Sequence, residues 1–291
     1  MRLVVFDLNK KKQLGVKMNQ GILPVDSILD IDSEELLKNN KFISDKNVLE
    51  NIKKEMSKQE NKVKEHLINE TDINYLPCVP EPGKVICVGK NYAEHAQETN
   101  DEIPDSPILF SKFSDSVTGH MTEVPIPDNS NELDYEAELM VVIGKKANKV
   151  SESDALNYVF GYCNSNDLSA RDLQFKTNQW LLGKTGEKLA PMGPYLLTSD
   201  EVNNIQDLGI RCYVNEKIKQ SSNTKYMIFT CSYLIHYISH YMTLNPGDVI
   251  MTGTPEGVIL GYPESQRKWL KSGDKVKVEI DGLGELVNKI V

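Results

Sequence analysis

The sequence predicts an α+β fold in which β-structure predominates, and three observations predict it. From Lys84 onward the chain breaks into short β-branched and apolar runs: Val85–Val88, Ile108–Phe110, Leu139–Ile143, Tyr195–Thr198, Ile210–Val214, Val249–Thr252 and Val276–Ile280. Turn signals such as Asn245-Pro-Gly-Asp248, Ser272-Gly-Asp274 and Asp281-Gly-Leu-Gly284 separate them, as in an antiparallel sheet protein. Helices are fewer, the clearest being Ser232–Met242, with Leu234, Ile235, Ile238 and Met242 on one side.

Residues 1–77 have a different character. Short strand-like pieces, Leu3–Phe6 and Gly15–Met18, give way to a Lys/Glu/Asn-rich stretch in which Leu49, Ile52, Met56, Val63 and Leu67 follow a helical stripe. Asp45 is placed to cap its start. This is the pattern of a small N-terminal α+β domain. The segment Leu76-Pro-Cys-Val-Pro-Glu-Pro-Gly83 is a natural boundary, and residues 78–291 form the expected catalytic domain.

Composition narrows the function classes. The 291 residues can bury a full core, and 26% charged with 40% hydrophobic residues does not indicate disorder. A net charge of −9 gives no support to nucleic-acid or anionic-membrane binding, which want a basic patch. The five cysteines are odd in number and free of C-x-x-C spacing, so a reducing, cytoplasmic setting without disulfides is expected. The N-terminal apolar stretch is too short for a signal peptide, and no run approaches membrane-spanning length.

The chemistry concentrates in carboxylates. Glu136 and Glu138 lie in Leu133–Ile143, a run that reads as one strand, so both side chains leave the sheet on the same face. Two like charges so close repel, and a cation between them removes that cost. Asp167 follows a second strand-like run, Tyr158–Cys163, whose end could deliver it to the same point. Oxygen ligands without His or Cys favour a hard ion, Mg²⁺ or Mn²⁺, and three of them leave half an octahedron for water or a chelating substrate. The same Glu-x-Glu spacing also describes a solvated sheet face.

Two further segments offer reactive groups. In VGKNYAEHAQETN, Asn91 and Glu94 have capping-box spacing, so a short helix beginning at Tyr92 would put His95 and Glu98 on one face. A carboxylate holding one imidazole nitrogen leaves the other as a general base; a surface helix with solvated side chains is the plain alternative. Arg171 and Gln174 follow Asp167 by four and seven residues, and Lys184 lies in a glycine-flanked turn. Arg and Lys beside a metal suit an anionic substrate, or they serve as surface ion pairs. Thr252 and Thr254 in MTGTPEGV could bind an anion at a Gly/Pro turn, or simply build the turn.

Taken together, VGKNYAEHAQE, LDYEAELMVVIGK, GYCNSNDLSARDLQ, QWLLGKT…APMGP, VNEKIKQSSNTKYMIF and LNPGDVIMTGTPEGV resemble the successive signature blocks of the fumarylacetoacetate hydrolase family, over roughly residues 80–291. The resemblance implies a β-roll core, a homodimer and a Mg²⁺ or Mn²⁺ site. By motif it assigns Glu136, Glu138 and Asp167 to the metal and His95 and Glu98 to the catalytic pair. It assigns Arg171, Gln174, Lys184 and Thr254 to the substrate, Lys184 also being catalytic. The activity it implies is cleavage of a C–C bond of a 2-oxo (1,3-dicarbonyl) acid through a metal-bound enolate, as acylpyruvate hydrolase or oxaloacetate decarboxylase. A 2-hydroxyhepta-2,4-diene-1,7-dioate type isomerase and a non-catalytic binding protein on the same fold are the alternatives. Where many members read K-[ST]-F-D, this chain has Lys184-Thr-Gly-Glu187, which is expected to open or reshape the pocket.

Overall fold

The computed structural model describes residues 1–99 and 102–291. Among these, a large mixed sheet runs in the order Gly21–Pro24, Lys11–Met18, Arg2–Leu8, Ala190–Thr198, Val159–Asn166, Ala137–Ile143, Val249–Met251, Val85–Gly89, Ile108–Lys112. A second sheet, Lys217–Asn223, Gly209–Val214, Lys275–Ile280, Gly284–Ile290 and Glu123–Val124, packs across it. Six of the seven expected strand runs fall within these strands, and the seventh, Val249–Thr252, does so up to Met251. The pairing differs from a purely antiparallel protein: Val249–Met251 lies parallel to Val85–Gly89. No hairpin can join strands so far apart in sequence, so nothing forces them antiparallel.

Ala137–Ile143 lies inside the large sheet and is buried along its whole length. Its side chains alternate between two cores, as the strand period of two requires. Leu139 and Val141 join the cluster that includes Ile210, Val278 and Leu286 of the second sheet, whereas Met140 and Val142 join the one that includes Phe42 and Ile52 from the N-terminal helices. Both faces are covered, which is why this run is apolar on both, Glu138 excepted, rather than alternating.

The expected single strand Leu133–Ile143 is two pieces, Leu133–Asp134 and Ala137–Ile143. Side chains replace the ladder at the break. The Asp134 carboxylate accepts from Tyr135 N at 2.8 Å, and Asn166 Oδ1 accepts from Glu136 N at 3.0 Å. The second run extends to Val159–Asn166, ending one residue before Asp167 as expected.

In the N-terminal part, Asp45 caps Lys46–Lys58 by accepting from Asn47 N at 3.0 Å. The helical stripe breaks at Gln59 and resumes over Glu60–Glu65, leaving Leu67 outside it. Strand Arg2–Leu8 pairs with Ala190–Thr198, so the N-terminal part extends the main sheet, and the division at residues 77 and 78 remains a proposed one. The expected helix at Ser232 is Cys231–Tyr241, capped by Thr230, whose hydroxyl accepts from Tyr233 N. No helix among the described residues is long and apolar enough to cross a membrane.

Candidate active site

The end of Val159–Asn166 and the start of Ala137–Ile143 are antiparallel neighbours, with Ala137 opposite Asn166. That register brings Glu136, Glu138 and Asp167 together: one ligand atom from each lies within 4.8 Å of the others, and all three residues are buried. Glu138 Oε2 accepts from Gly253 N at 2.9 Å. Glu136 Oε1 accepts from Arg171 Nη2 at 2.6 Å, and its Oε2 from Lys184 Nζ at 2.8 Å. The same ammonium reaches Asp167 Oδ2 at 2.9 Å.

Environment separates the two glutamates. Burial works against ionisation of Glu136, but Lys184 and then Arg171 override it and hold its pKa at about 2. No cation bonds Glu138 directly; burial, then the charges of Asp167 and Glu136, outweigh Gly253 N–H and the more weakly felt Lys184 and drive its pKa well above the ordinary carboxylate range. Burial also acts against the Lys184 ammonium, and Asp167 and Glu136 outweigh it and raise its pKa. Lys184 therefore stays charged.

Two groups not anticipated from the sequence complete the centre. Lys112, fully buried, donates to the Leu168 and Leu189 carbonyls at 2.9 and 2.8 Å and lies 2.7 Å from Asp167 Oδ1. Burial lowers its pKa, while the two carbonyls take two of its N–H groups and the charge of Asp167 beside it acts the other way. Asp134 accepts from Arg171 Nε at 3.0 Å and from Ile259 N and Leu260 N at 2.9 and 3.1 Å. Four buried carboxylates thus face three buried cations. A divalent ion, with Glu138 ionised against it, would leave these charges net positive, suited to an anionic substrate.

The residues fit such an ion. Their chemistry is all oxygen, Asp167 Oδ1 accepts no aligned hydrogen bond, and Glu138 is repelled by both of its neighbours. Magnesium or manganese would be held by Glu136, Glu138 and Asp167.

Around this centre is a cavity of about 150 Å³, whose walls include His95, Gln174, Thr254, Phe110 and Trp180. The helix carrying His95 spans Ala93–Glu98. The expected Asn91 cap is not formed. The Asn91 side chain instead donates to the carbonyls of Phe229 and Thr252 and accepts from Phe229 N, at 3.0, 2.7 and 2.7 Å. Tyr92 and Ala96 are buried, so this segment is docked on the body. His95 Nδ1 donates to Glu98 Oε1 at 2.8 Å, and Glu98 Oε2 accepts from Gly257 N at 2.9 Å.

Arg171 and Gln174 lie on the short helix Arg171–Gln174, and Lys184 on Leu181–Lys184. The two helices touch at Gly183, where any Cβ would overlap Ala170 O and Gln174 N. Gln174 Oε1 accepts from Arg171 Nη1 at 2.9 Å, and Thr254 Oγ1 accepts from Gln220 Nε2 at 2.8 Å. Thr252 does not reach the cavity; its hydroxyl donates to Leu139 O. Lys184 retains aromatic company despite Gly186, because its Nζ lies 4.9 Å from the Phe110 ring centroid.

Residues 84–291 match the family model described as fumarylacetoacetate (FAA) hydrolase, C-terminal. The chain belongs to the fumarylacetoacetate hydrolase family. It is 45% identical over 229 residues to the mitochondrial oxaloacetate tautomerase of Xenopus laevis, covering 78% of this chain and 71% of that one. Among solved structures, a fumarylacetoacetate hydrolase from Exiguobacterium antarcticum is 31% identical with a TM-score of 0.82, over 100% of this chain and 99% of that one. A maleylpyruvate hydrolase from Sphingobium sp. SYK-6, solved with manganese(II) and pyruvate, is 26% identical with a TM-score of 0.79, over 100% and 99% of the chains. These relatives are enzymes, and this chain is an enzyme of the same family.

Proposed function

We propose that this chain is a Mg²⁺- or Mn²⁺-dependent enzyme that acts on small 2-oxo dicarboxylic acids of the oxaloacetate class through their enol form. The observation that carries the reading is the cavity itself. At about 150 Å³ it is well below the roughly 300–1,000 Å³ of sites for drug-sized ligands, and it lies between His95 and the glutamate pair. A four-carbon acid suits it better than a seven-carbon diene dioate. The tautomerase name of the Xenopus laevis relative supports the same substrate class.

A bound Mg²⁺ or Mn²⁺ supplies Lewis acidity to the 2-oxo and carboxylate oxygens of the substrate. The chain's own residues do the rest. Because Nδ1 of His95 donates to Glu98, its Nε2 is left as the base that takes the C3 proton and returns it. Lys184 gives two N–H groups to Glu136 and Asp167, and its third would be available to the substrate oxygen on which enolate charge develops. Gln174 and Thr254 keep an amide N–H and a hydroxyl to orient the distal carboxylate. Arg171 is committed to Asp134, Glu136 and Gln174, so it holds Glu136 in place rather than forking onto a substrate.

Keto–enol interconversion needs only the proton moved by His95. Decarboxylation of oxaloacetate, in which the C3–C4 bond breaks with loss of CO2, and hydrolysis of an acylpyruvate, in which water deprotonated at Nε2 attacks the C4 carbonyl, start from the keto form. Both leave the pyruvate enolate, which is then protonated at C3, and the maleylpyruvate hydrolase likeness favours this as the second reading. Metal-loaded protein assayed on oxaloacetate, acetylpyruvate and a hydroxymuconate-type diene dioate separates them. Turnover of the first is expected to exceed the others, and no turnover of any would overturn the reading. The five cysteines, all free and buried, support a cytoplasmic location. Exposed Phe113, Phe175 and Leu182 offer apolar surface to a second copy, so a homodimer is expected by light scattering.

A further inference from the structure

A second cavity, of about 720 Å³, has no part in the chemistry above. Its inner wall is apolar and buried, with Tyr135, Ile259 and Leu270, and the rings of Tyr262 and Trp269 flank it. Around it stand Lys217, Lys219, Lys268 and Lys271. Among the described residues none of these four ammoniums is held in an ion pair. The one carboxylate in the lining, Asp274, is occupied by Asn215 Nδ2 at 2.8 Å and Lys271 N at 3.0 Å. In a chain of net charge −9, four cations without an ion-pair partner about one hollow make a local positive patch, which an anion from outside would complement.

The wall is shared with the active site. Tyr135 lines this cavity and Glu136 the other; Ile259 lines this one and Leu260 the other. The N–H groups of Ile259 and Leu260 both donate to Asp134, whose carboxylate also grips Arg171. Leu270 N donates to Leu133 O at 2.9 Å, one residue from Asp134. Anything that shifts this wall shifts the groups that hold Glu136.

We propose that this cavity is a second, non-catalytic site for a polyanion carrying a planar ring, a nucleotide or a similar ring-bearing phosphoester, and that its occupancy is felt at Glu136. The lysines neutralise phosphates as point charges, and Trp269 and Tyr262 provide ring faces on which a base stacks. The volume falls within the range that small cofactors occupy.

The chain has two tryptophans, Trp180 in the active-site cavity and Trp269 here. In the Trp180→Phe variant, Trp269 emission is titrated with ATP, tripolyphosphate and adenosine, without divalent metal so that no phosphate is held at the carboxylates. Saturable quenching by ATP at about 10–500 µM is expected, with each fragment roughly tenfold weaker or more. Adding Lys217→Glu and Lys268→Glu, both at exposed positions, is expected to weaken ATP about tenfold or more. Absence of saturation by ~10 mM ATP, equal binding of tripolyphosphate, or unchanged binding in the charge-reversed protein would overturn the site. These arms do not depend on the proposed activity. In the turnover assay, with Mn²⁺ in excess of nucleotide, ATP is expected to change kcat or KM only where both lysines are present. Identical kinetics with and without ATP would overturn the coupling.

Discussion

His95 and Glu98 form a fixed donor–acceptor pair: Nδ1 lies 2.8 Å from Oε1, and the other oxygen of Glu98 is tied to Gly257 N at 2.9 Å. Gly257 thus fixes Glu98 and Glu98 fixes the imidazole, whose Nε2 is the nitrogen left for the substrate. His95→Ala is expected to lower turnover by ~10²-fold or more with Mn²⁺ affinity unchanged. Glu98→Gln should cost less, because the amide can still accept the Nδ1 proton. Wild-type turnover of the alanine variant would remove His95 as the base.

The Lys184 ammonium sits between two of the carboxylates that would hold the metal. Removing it leaves Glu136 and Asp167 with more uncompensated charge, so Lys184→Met should not weaken Mn²⁺ and should lower kcat by about 10²-fold with a smaller change in KM. A rise in KM alone would make Lys184 a substrate holder only.

Lys112 carries a different expectation, because it is fully buried and is not among the residues that line the active-site cavity. Lys112→Met takes one of two ammoniums from the buried Asp167 carboxylate, which keeps Lys184, so the cost is expected to stay at or below the about 3–5 kcal/mol of a fully broken buried pair. Denaturant unfolding of metal-free protein should show that loss, and added Mn²⁺ should recover part of it. A metal-independent loss would mean that Lys112 serves packing alone.

Acid sensitivity should depend on His120. Burial holds its pKa down at about 4, against 6.5 for the free side chain, and its Nδ1 accepts from Val287 N at 3.0 Å. The folded value lies below the unfolded one, so the neutral ring is the stabilising form. Its contribution is complete above pH about 6.5 and is lost as pH falls through about 4. Denaturation midpoints between those values should fall less steeply for His120→Asn than for wild type; identical slopes would contradict this.

Much of this site was legible in local spacing, and the rest depends on partners far along the chain. The parity of Glu136 and Glu138 and the strand end before Asp167 foretold their meeting, although Glu136 itself stands just outside the ladder. Asp134 continues the same alternation, two residues before Glu136, and that was the available signal for it. Its role depends on Ile259 and Leu260, more than a hundred residues away. Lys112 was signalled only by a lysine ending an apolar strand. Asn91 has the spacing of a cap, but Phe229 and Thr252 claim its side chain, and no local rule weighs such partners. The helix stripe ran past Gln59 because periodicity does not register a backbone break.

The central claim is that Glu136, Glu138 and Asp167 hold the metal on which activity depends. The direct measurement is oxaloacetate turnover by EDTA-stripped protein, before and after Mn²⁺ is restored, in wild type and in Glu138→Gln. The account predicts negligible turnover when stripped, full recovery with Mn²⁺ in wild type, and no recovery in the variant, which has lost the carboxylate and should bind Mn²⁺ far more weakly. Full activity in the stripped wild type, or metal-restored activity in Glu138→Gln, would contradict it.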